Sequence, residues 1–245
     1  MLKPVTCIIA ARYRSSRFEG KPLEMIHGKP MILWVAEHAE KAQTVGDVMV
    51  ATDDGRIHDV VTQAGYKAMY TSEDCPNGSA RVAEAAENVS DEWIFEMQGD
   101  QPLVTPEIID SFVTSSFGLI EKKPEIDVVI PFAETTPTQT VSPDILKAVV
   151  TSSNRIVFQT RHPIETGFRT LGLYIWKRAV LYQFANMEVS HLEKIEDSHP
   201  IRLYINDVYV QGVHIKDSAW VEVDRPEHIA EVEQIMSEKG MVTLW

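Results

Sequence analysis

A chain of 245 residues can bury one substantial core, so a single α/β domain spanning residues 1–245 is expected. With 36 Asp+Glu against 23 Lys+Arg its formal net charge is −13, which argues against broad binding to nucleic acid or to an anionic membrane, because both need a basic field. The 2 cysteines, Cys7 and Cys75, are too few for a disulfide framework or a zinc site, no apolar run approaches the roughly 18 residues of a membrane span, and no targeting peptide is visible, so a soluble cytoplasmic protein is expected.

The apolar run Val5–Ile9 predicts the first strand of a buried parallel sheet, with Cys7 in the core. It leads into Ala10–Leu23, where Arg12, Arg14, Arg17 and Lys21 invert the local charge of an acidic chain. A strand running into a basic, small-residue loop is a common way to hold phosphates, although an arginine run also suits a solvated surface. His27-Gly28-Lys29-Pro30 predicts a turn before a helix striped by Met31, Ile32, Val35, Ala36 and Ala39, with Lys29 either a turn lysine or functional. Val48–Thr52 predicts a second strand, Ile57–Ala64 a helix stopped by Gly65, and Ala68–Tyr70 a brief strand.

Thr71–Arg81 reads as a polar loop in which Ser79 caps the next helix. Trp93–Met97 is the following strand and runs into Gln98-Gly99-Asp100-Gln101-Pro102. Thr105 is placed as an N-cap for a helix from Pro106 to Gly118, and Ile126–Ile130 reads as a further strand. Beyond that point the strand-like segments 147–151, 156–158 and 170–176 predict antiparallel additions to a mostly parallel central sheet, and 208–213 is a further apolar segment. A helix is expected near Lys177–Ala185, a strand from Trp220 ending at Asp224, and a last helix reaching about Lys239 with Gly240 as its cap. The charged segment Ser190–Asp197 is either a subunit contact or a solvated face.

Asp100 and Asp224 each end a predicted strand, and together they suit one divalent cation shared with substrate phosphates, for which Mg2+ is the natural choice. The alternatives are a helix N-cap for Asp224 and a turn cap for Asp100. Position 22 is Pro where a Walker A loop needs Ser or Thr, and the dinucleotide fingerprint Gly-x-Gly-x-x-Gly is absent, so neither a P-loop nor a nicotinamide dehydrogenase is indicated.

Ala11-Arg12-x-x-Ser15-x-Arg17-x-x-Gly20-Lys21-x-Leu23, Gln98-Gly99-Asp100-x-Pro102 and Val223-Asp224-x-Pro226-Glu227 together resemble the bacterial CMP-Kdo synthetases, the 3-deoxy-manno-octulosonate cytidylyltransferases. The resemblance covers nearly the whole chain. It implies a nucleotide-diphospho-sugar transferase (Rossmann-like) fold, usually a homodimer, that couples CTP to a 2-keto-3-deoxy sugar acid with loss of pyrophosphate, for lipopolysaccharide or another surface polysaccharide. By position it implies triphosphate contacts from Arg12, Ser15 and Lys21, a cytidine site from Asn77, Gly78, Ser79, Arg81 and Gln98, and Mg2+ ligands at Asp100 and Asp224. Arg12, Lys21, Asp100 and Asp224 would then carry catalysis, and Arg161, Thr170, Tyr174 and His199 would form the sugar site.

The departures from the family pattern fall mainly at the sugar. His-Leu-Gly-Ile-Tyr becomes Thr170-Leu171-Gly172-Leu173-Tyr174, and Leu-Glu-Gln-Leu-Arg becomes Ser198-His199-Pro200-Ile201-Arg202. Ala10 replaces the usual Pro, and Ser79-Ala80-Arg81 the usual Thr-Glu-Arg. CTP and Mg2+ are therefore expected, with Kdo or a close analogue as the sugar. A different acidic sugar, such as an amino-octulosonate or a nonulosonic acid, and a non-catalytic nucleotide-binding homologue are the alternatives.

Overall fold

Every residue of Val5–Ala11 (β1) is buried, as a continuous apolar run covered on both faces requires. The computed structural model describes residues 3–15, 17–216 and 221–241; the expectations at Ser16 and Trp220 fall outside them. After β1 come the short hairpin strands Met25–Ile26 (β2) and Lys29–Pro30 (β3), then Met31–Lys41 (α1), Val45–Thr52 (β4), Gly55–Gln63 (α2) and Lys67–Tyr70 (β5). Gly78–Ala86 (α3), Trp93–Gln98 (β6), Pro106–Lys122 (α4), Val128–Glu134 (β7) and Pro137–Val141 (α5) follow. The second half comprises Lys147–Val150 (β8), Ile156–Thr160 (β9), Phe168–Thr170 (β10), Tyr174–Lys177 (β11), Arg178–Asn186 (α6), His191–Glu196 (α7), Ile201–Ile205 (α8), Val210–His214 (β12) and Glu227–Glu238 (α9).

One ten-stranded sheet runs β5-β4-β1-β6-β11-β7-β10-β8-β9, with β12 also paired to β7. β5, β4, β1 and β6 are parallel neighbours, whereas β11 lies antiparallel between β6 and β7. The expected combination of a parallel core and antiparallel additions is therefore present. Alternate residues of β1 and β6 enter two apolar layers: Cys7, Ile9, Phe95 and Met97 face α1 and α4, while Ile8 and Ile94 face α3 and α6. No described helix is long and apolar enough to cross a membrane.

Local differences from the sequence expectations have identifiable causes. Asn77, not Ser79, caps α3, because its Oδ1 accepts from the Ala80 amide at 2.9 Å while Ser79 turns into the core. The expected strand 170–176 breaks at Leu171–Leu173, where the chain leaves β7 and returns on its other side as β11. Residues 221–224 form no strand, but the Val223 amide donates to the Asp100 carbonyl at 2.9 Å. That bond sets Asp224 beside Asp100 across the sequence. Thr105 caps α4 as expected, and Gly240 ends α9 at φ +64.

Candidate functional site

The chain reverses the order of strand addition at β1, first placing β4 and β5 on one side and then β6 on the other. In open α/β sheets a crevice opens at the strand C-termini at such a switch point. Here β1 ends at Ala11 and β6 at Gln98, and a cleft of about 860 Å³ opens beyond them. Arg12, Ser15, Arg17 and Lys21 line it from the first loop; Arg14 and Lys29 do not. Arg14 lies 3.7 Å from Glu73, and Lys29 sits over the Trp34 ring paired with Glu37.

The loop is folded back on itself. Gly20 adopts φ +73 with its amide donating to the Tyr13 carbonyl at 2.8 Å, and the Tyr13 ring occupies the space a side chain at 20 would take. A single 3-10 turn, Lys21–Leu23, then aims Lys21 inward. Its Nζ donates to Asp100 Oδ2 at 2.6 Å and to Asp224 Oδ1 at 3.0 Å, while Arg17 Nη1 reaches Asp224 Oδ2 at 3.0 Å. Burial disfavours the Lys21 charge, but the two carboxylates outweigh it and hold its pKa above the ordinary lysine value. Burial likewise opposes ionisation of Asp224, and Lys21 with Arg17 reverses the sign, keeping it below the usual carboxylate range. Neither aspartate caps its neighbouring helix or turn among the described bonds.

Two carboxylates that converge on one ammonium are also placed to share a metal cation. Among the described residues no cluster of three or more His, Cys, Asp or Glu offers an all-protein metal cage. Two hard oxygen donors suit Mg2+, which keeps waters and takes its other ligands from substrate phosphates, so the donor set fits that ion.

At the β6 end, Gln98 lies flat against Gly78. A Cβ there would stand 2.4 Å from Gln98 Oε1, so only glycine permits the contact. Ser79 is fully buried, donating to Glu96 Oε1 at 2.8 Å and lying 3.2 Å from His199 Nε2. Arg81 lines the cleft wall, but its guanidinium is tied to Thr71 and, at 2.7 Å, to Asp53. The far end of the cleft holds Arg161, Thr170, Tyr174 and His199. Arg161 donates to the carbonyls of Asp144 at 3.0 Å and Asp197 at 3.2 Å, which leaves Nη2 without a partner among the described residues. Thr170 accepts from Gln159, and Tyr174 stacks on Trp176 with centroids 5.5 Å apart. Burial, then the charges of Arg202, Arg161 and Arg12, pushes His199 down to about 3, so its imidazole is neutral.

Several residues in or behind the cleft wall carry no signal in the sequence. Lys147 is buried and binds the carbonyls of Ser142, Ile145 and Arg161 at 2.5–3.0 Å, bracing the segment that carries Arg161. Glu222 accepts from the Gln101 side chain at 3.1 Å and the Gly172 amide at 3.3 Å; its tight surroundings and the charges of Asp100 and Asp224 raise its pKa. Arg169 adds a further guanidinium to the wall. The one available signal was Glu96, a charged residue inside an apolar strand on the same face as Ile94 and Gln98.

A model of the cytidylyltransferase family matches residues 6–235. The 3-deoxy-manno-octulosonate cytidylyltransferase of Bdellovibrio bacteriovorus is 30% identical, over 96% of this chain and 98% of its own. That of Leptospira biflexa is 33% identical, over 96% and 97%. Among solved structures, CMP:2-keto-3-deoxy-manno-octonic acid synthetase complexed with CTP superposes with TM-score 0.88 at 27% identity, covering 97% of this chain and 100% of that one. A putative glucose-1-phosphate thymidylyltransferase from Bacillus anthracis shares the fold alone, at TM-score 0.72 and 13% identity over 98% and 97%. Fold and cleft are those of a nucleotidyltransferase. More narrowly, the chain belongs to the cytidylyltransferase family.

Proposed function

We propose that this protein, acting as one catalytic domain, couples CTP to a 2-keto-3-deoxy sugar acid, Kdo or a close analogue, giving the CMP-sugar and pyrophosphate for surface polysaccharide synthesis in the cytoplasm. The observation that carries the reading is the convergence of Asp100 and Asp224 on Lys21 beneath the basic loop. Arg12, Ser15 and Lys21 hold the triphosphate, while Asn77, Gly78, Arg81 and Gln98 form the cytidine end; Ser79, expected there from the sequence, is fully buried behind the cleft wall and acts only on Glu96 and His199. Arg161 neutralises the sugar carboxylate through its available Nη2, and Thr170, Tyr174 and His199 contact the sugar. Asp100 and Asp224 would hold Mg2+, which when bound would neutralise phosphate charge and lower the pKa of a hydroxyl in contact with it.

The anomeric oxygen attacks the α-phosphorus in line, forming the new oxygen–phosphorus bond as the bond to the α–β bridging oxygen breaks. Pyrophosphate leaves with that electron pair, and the hydroxyl proton passes to water. The protein contributes position and fixed charge rather than a covalent intermediate. Measuring pyrophosphate release from CTP with a panel of sugar acids tests the assignment, and no release with any of them would leave a nucleotide-binding homologue. His199, neutral and paired to Ser79, favours a second reading in which the preferred sugar is another acidic sugar with different hydroxyl or amine substituents. The exposed side chains of Ile195 on α7 and Ile205 on α8 support a homodimer through these helices.

A further inference from the structure

Glu96 sits at the centre of a hydrogen-bond system whose direction can be read from elementary donor and acceptor counts. It is fully buried in β6, and three groups converge on it: Trp176 Nε1 at 2.7 Å on Oε2, with Ser79 Oγ at 2.8 Å and Gln98 Nε2 at 2.5 Å on Oε1. An indole N–H can only donate, and an ionised carboxylate can only accept. Ser79 therefore spends its one proton on Glu96, and its oxygen is left to accept from His199 Nε2–H. Gln98 must likewise turn its NH2 toward Glu96. Its Oε1 then lies against Gly78, which with Gln98 lines the cleft, and has no partner among the described residues.

We infer that Glu96 is a positioning residue for nucleobase choice: by locking the Gln98 amide with its carbonyl oxygen toward the cleft, it selects a base presenting an exocyclic amine over one presenting a carbonyl. This rests on the reading of the Gln98 end as the cytidine site. An amide free to rotate would offer NH2 or oxygen with little preference, and so would match either cytosine or uracil. A fixed acceptor faces the lone pairs of a uracil carbonyl and leaves two acceptors unpaired. Burial raises the Glu96 carboxyl to about 7, with its three donors opposing that rise, so an assay at pH 8 examines the ionised form.

The test compares kcat/KM for CTP and UTP, with one sugar acid, in the wild type and in Glu96→Gln. Gln at 96 keeps size and one acceptor but removes the demand that Gln98 donate. The CTP-over-UTP ratio is expected to fall at least about tenfold, through KM, with kcat for CTP little changed. An unchanged ratio in a folded variant overturns the inference. If the wild type itself fails to prefer CTP in direct titrations, the cytidine reading falls and takes the inference with it, which separates the two failures. Should Glu96→Gln not fold, hydrogen exchange of the Gln98 side-chain NH2 in the wild type decides: protection supports the lock, and exchange at the rate of a free amide overturns it.

Discussion

The two ends of the cleft are built differently. At the β1 and β6 termini, formal charges are matched within the free protein: Lys21 against Asp100 and Asp224, Arg17 against Asp224, Arg81 against Asp53. At the far end the proposed sugar contacts are neutral or bonded to backbone: His199 is uncharged, Tyr174 is buried, and Arg161 rests on carbonyl oxygens, with one buried ion pair, Arg202 to Glu193 at 2.7 Å, behind them. Charge pairs on parallel strand ends tolerate little change, because removing one partner strands the other. Neutral hydrogen-bonding groups on short strands and helices can be exchanged for others of different polarity. That contrast fits the proposed division of the cleft into a nucleotide end and a sugar end.

The largest effect is expected at the charged end. Asp100→Asn should lower pyrophosphate formation by about 10²–10³-fold, the range seen when one preorganised electrostatic contact is lost. Thr170→Val, at the neutral end, should instead leave CTP affinity intact and change which sugar acid is used. If both variants act equally on CTP and sugar, the two ends are one unit. Gly78→Ala comes next: its Cβ must push the Gln98 amide aside, and KM for CTP should rise about tenfold with kcat nearly unaltered in initial-rate assays.

Two histidines held neutral by burial, His199 at the far end and His38 on α1 outside the cleft lining, give the protein a pH signature. His199 and the buried His38 have pKa values pushed down by burial, to about 3 and about 4. An unfolded histidine gains its proton near 6.5 while these folded ones do not, so the unfolded chain binds more protons below that point. Stability should therefore be intact above pH 6.5 and decline as pH falls toward 4, by on the order of 2 kcal/mol from His38 in urea denaturation. NMR titration of His199 with a midpoint near 6.5 would break the claim that this end is held neutral. The smallest effect concerns neither end: Ile195→Asp should shift the solution mass of the proposed dimer toward monomer with little change in the monomer's fold.

The parallel half of the fold was legible because its strands are apolar runs ending in loops of unusual composition. Val5–Ile9 before the arginine loop, and Trp93–Met97 before Gly99-Asp100, gave both walls of the cleft. Their meeting point was legible only as paired aspartates, since the Val223–Asp100 bond that aligns Asp224 is long-range and leaves no local pattern. The same holds for Arg81: sequence places it on the cleft loop, while Asp53, on a different loop, decides where its guanidinium goes. Ser79 and Asn77 are both good caps, and only packing against Glu96 determined which one serves.

Lys21 ties metal and nucleotide together in the proposed reaction. Its ammonium already occupies the space between the two aspartates and already satisfies them. A metal ion arriving alone must evict it and leave it without a counter-charge, whereas an ion arriving with a triphosphate brings a new anion for it to hold. Under the proposed function, uptake of the two is then expected to be linked: each should raise the affinity for the other by the same factor, and the free enzyme should discriminate against bare divalent cations.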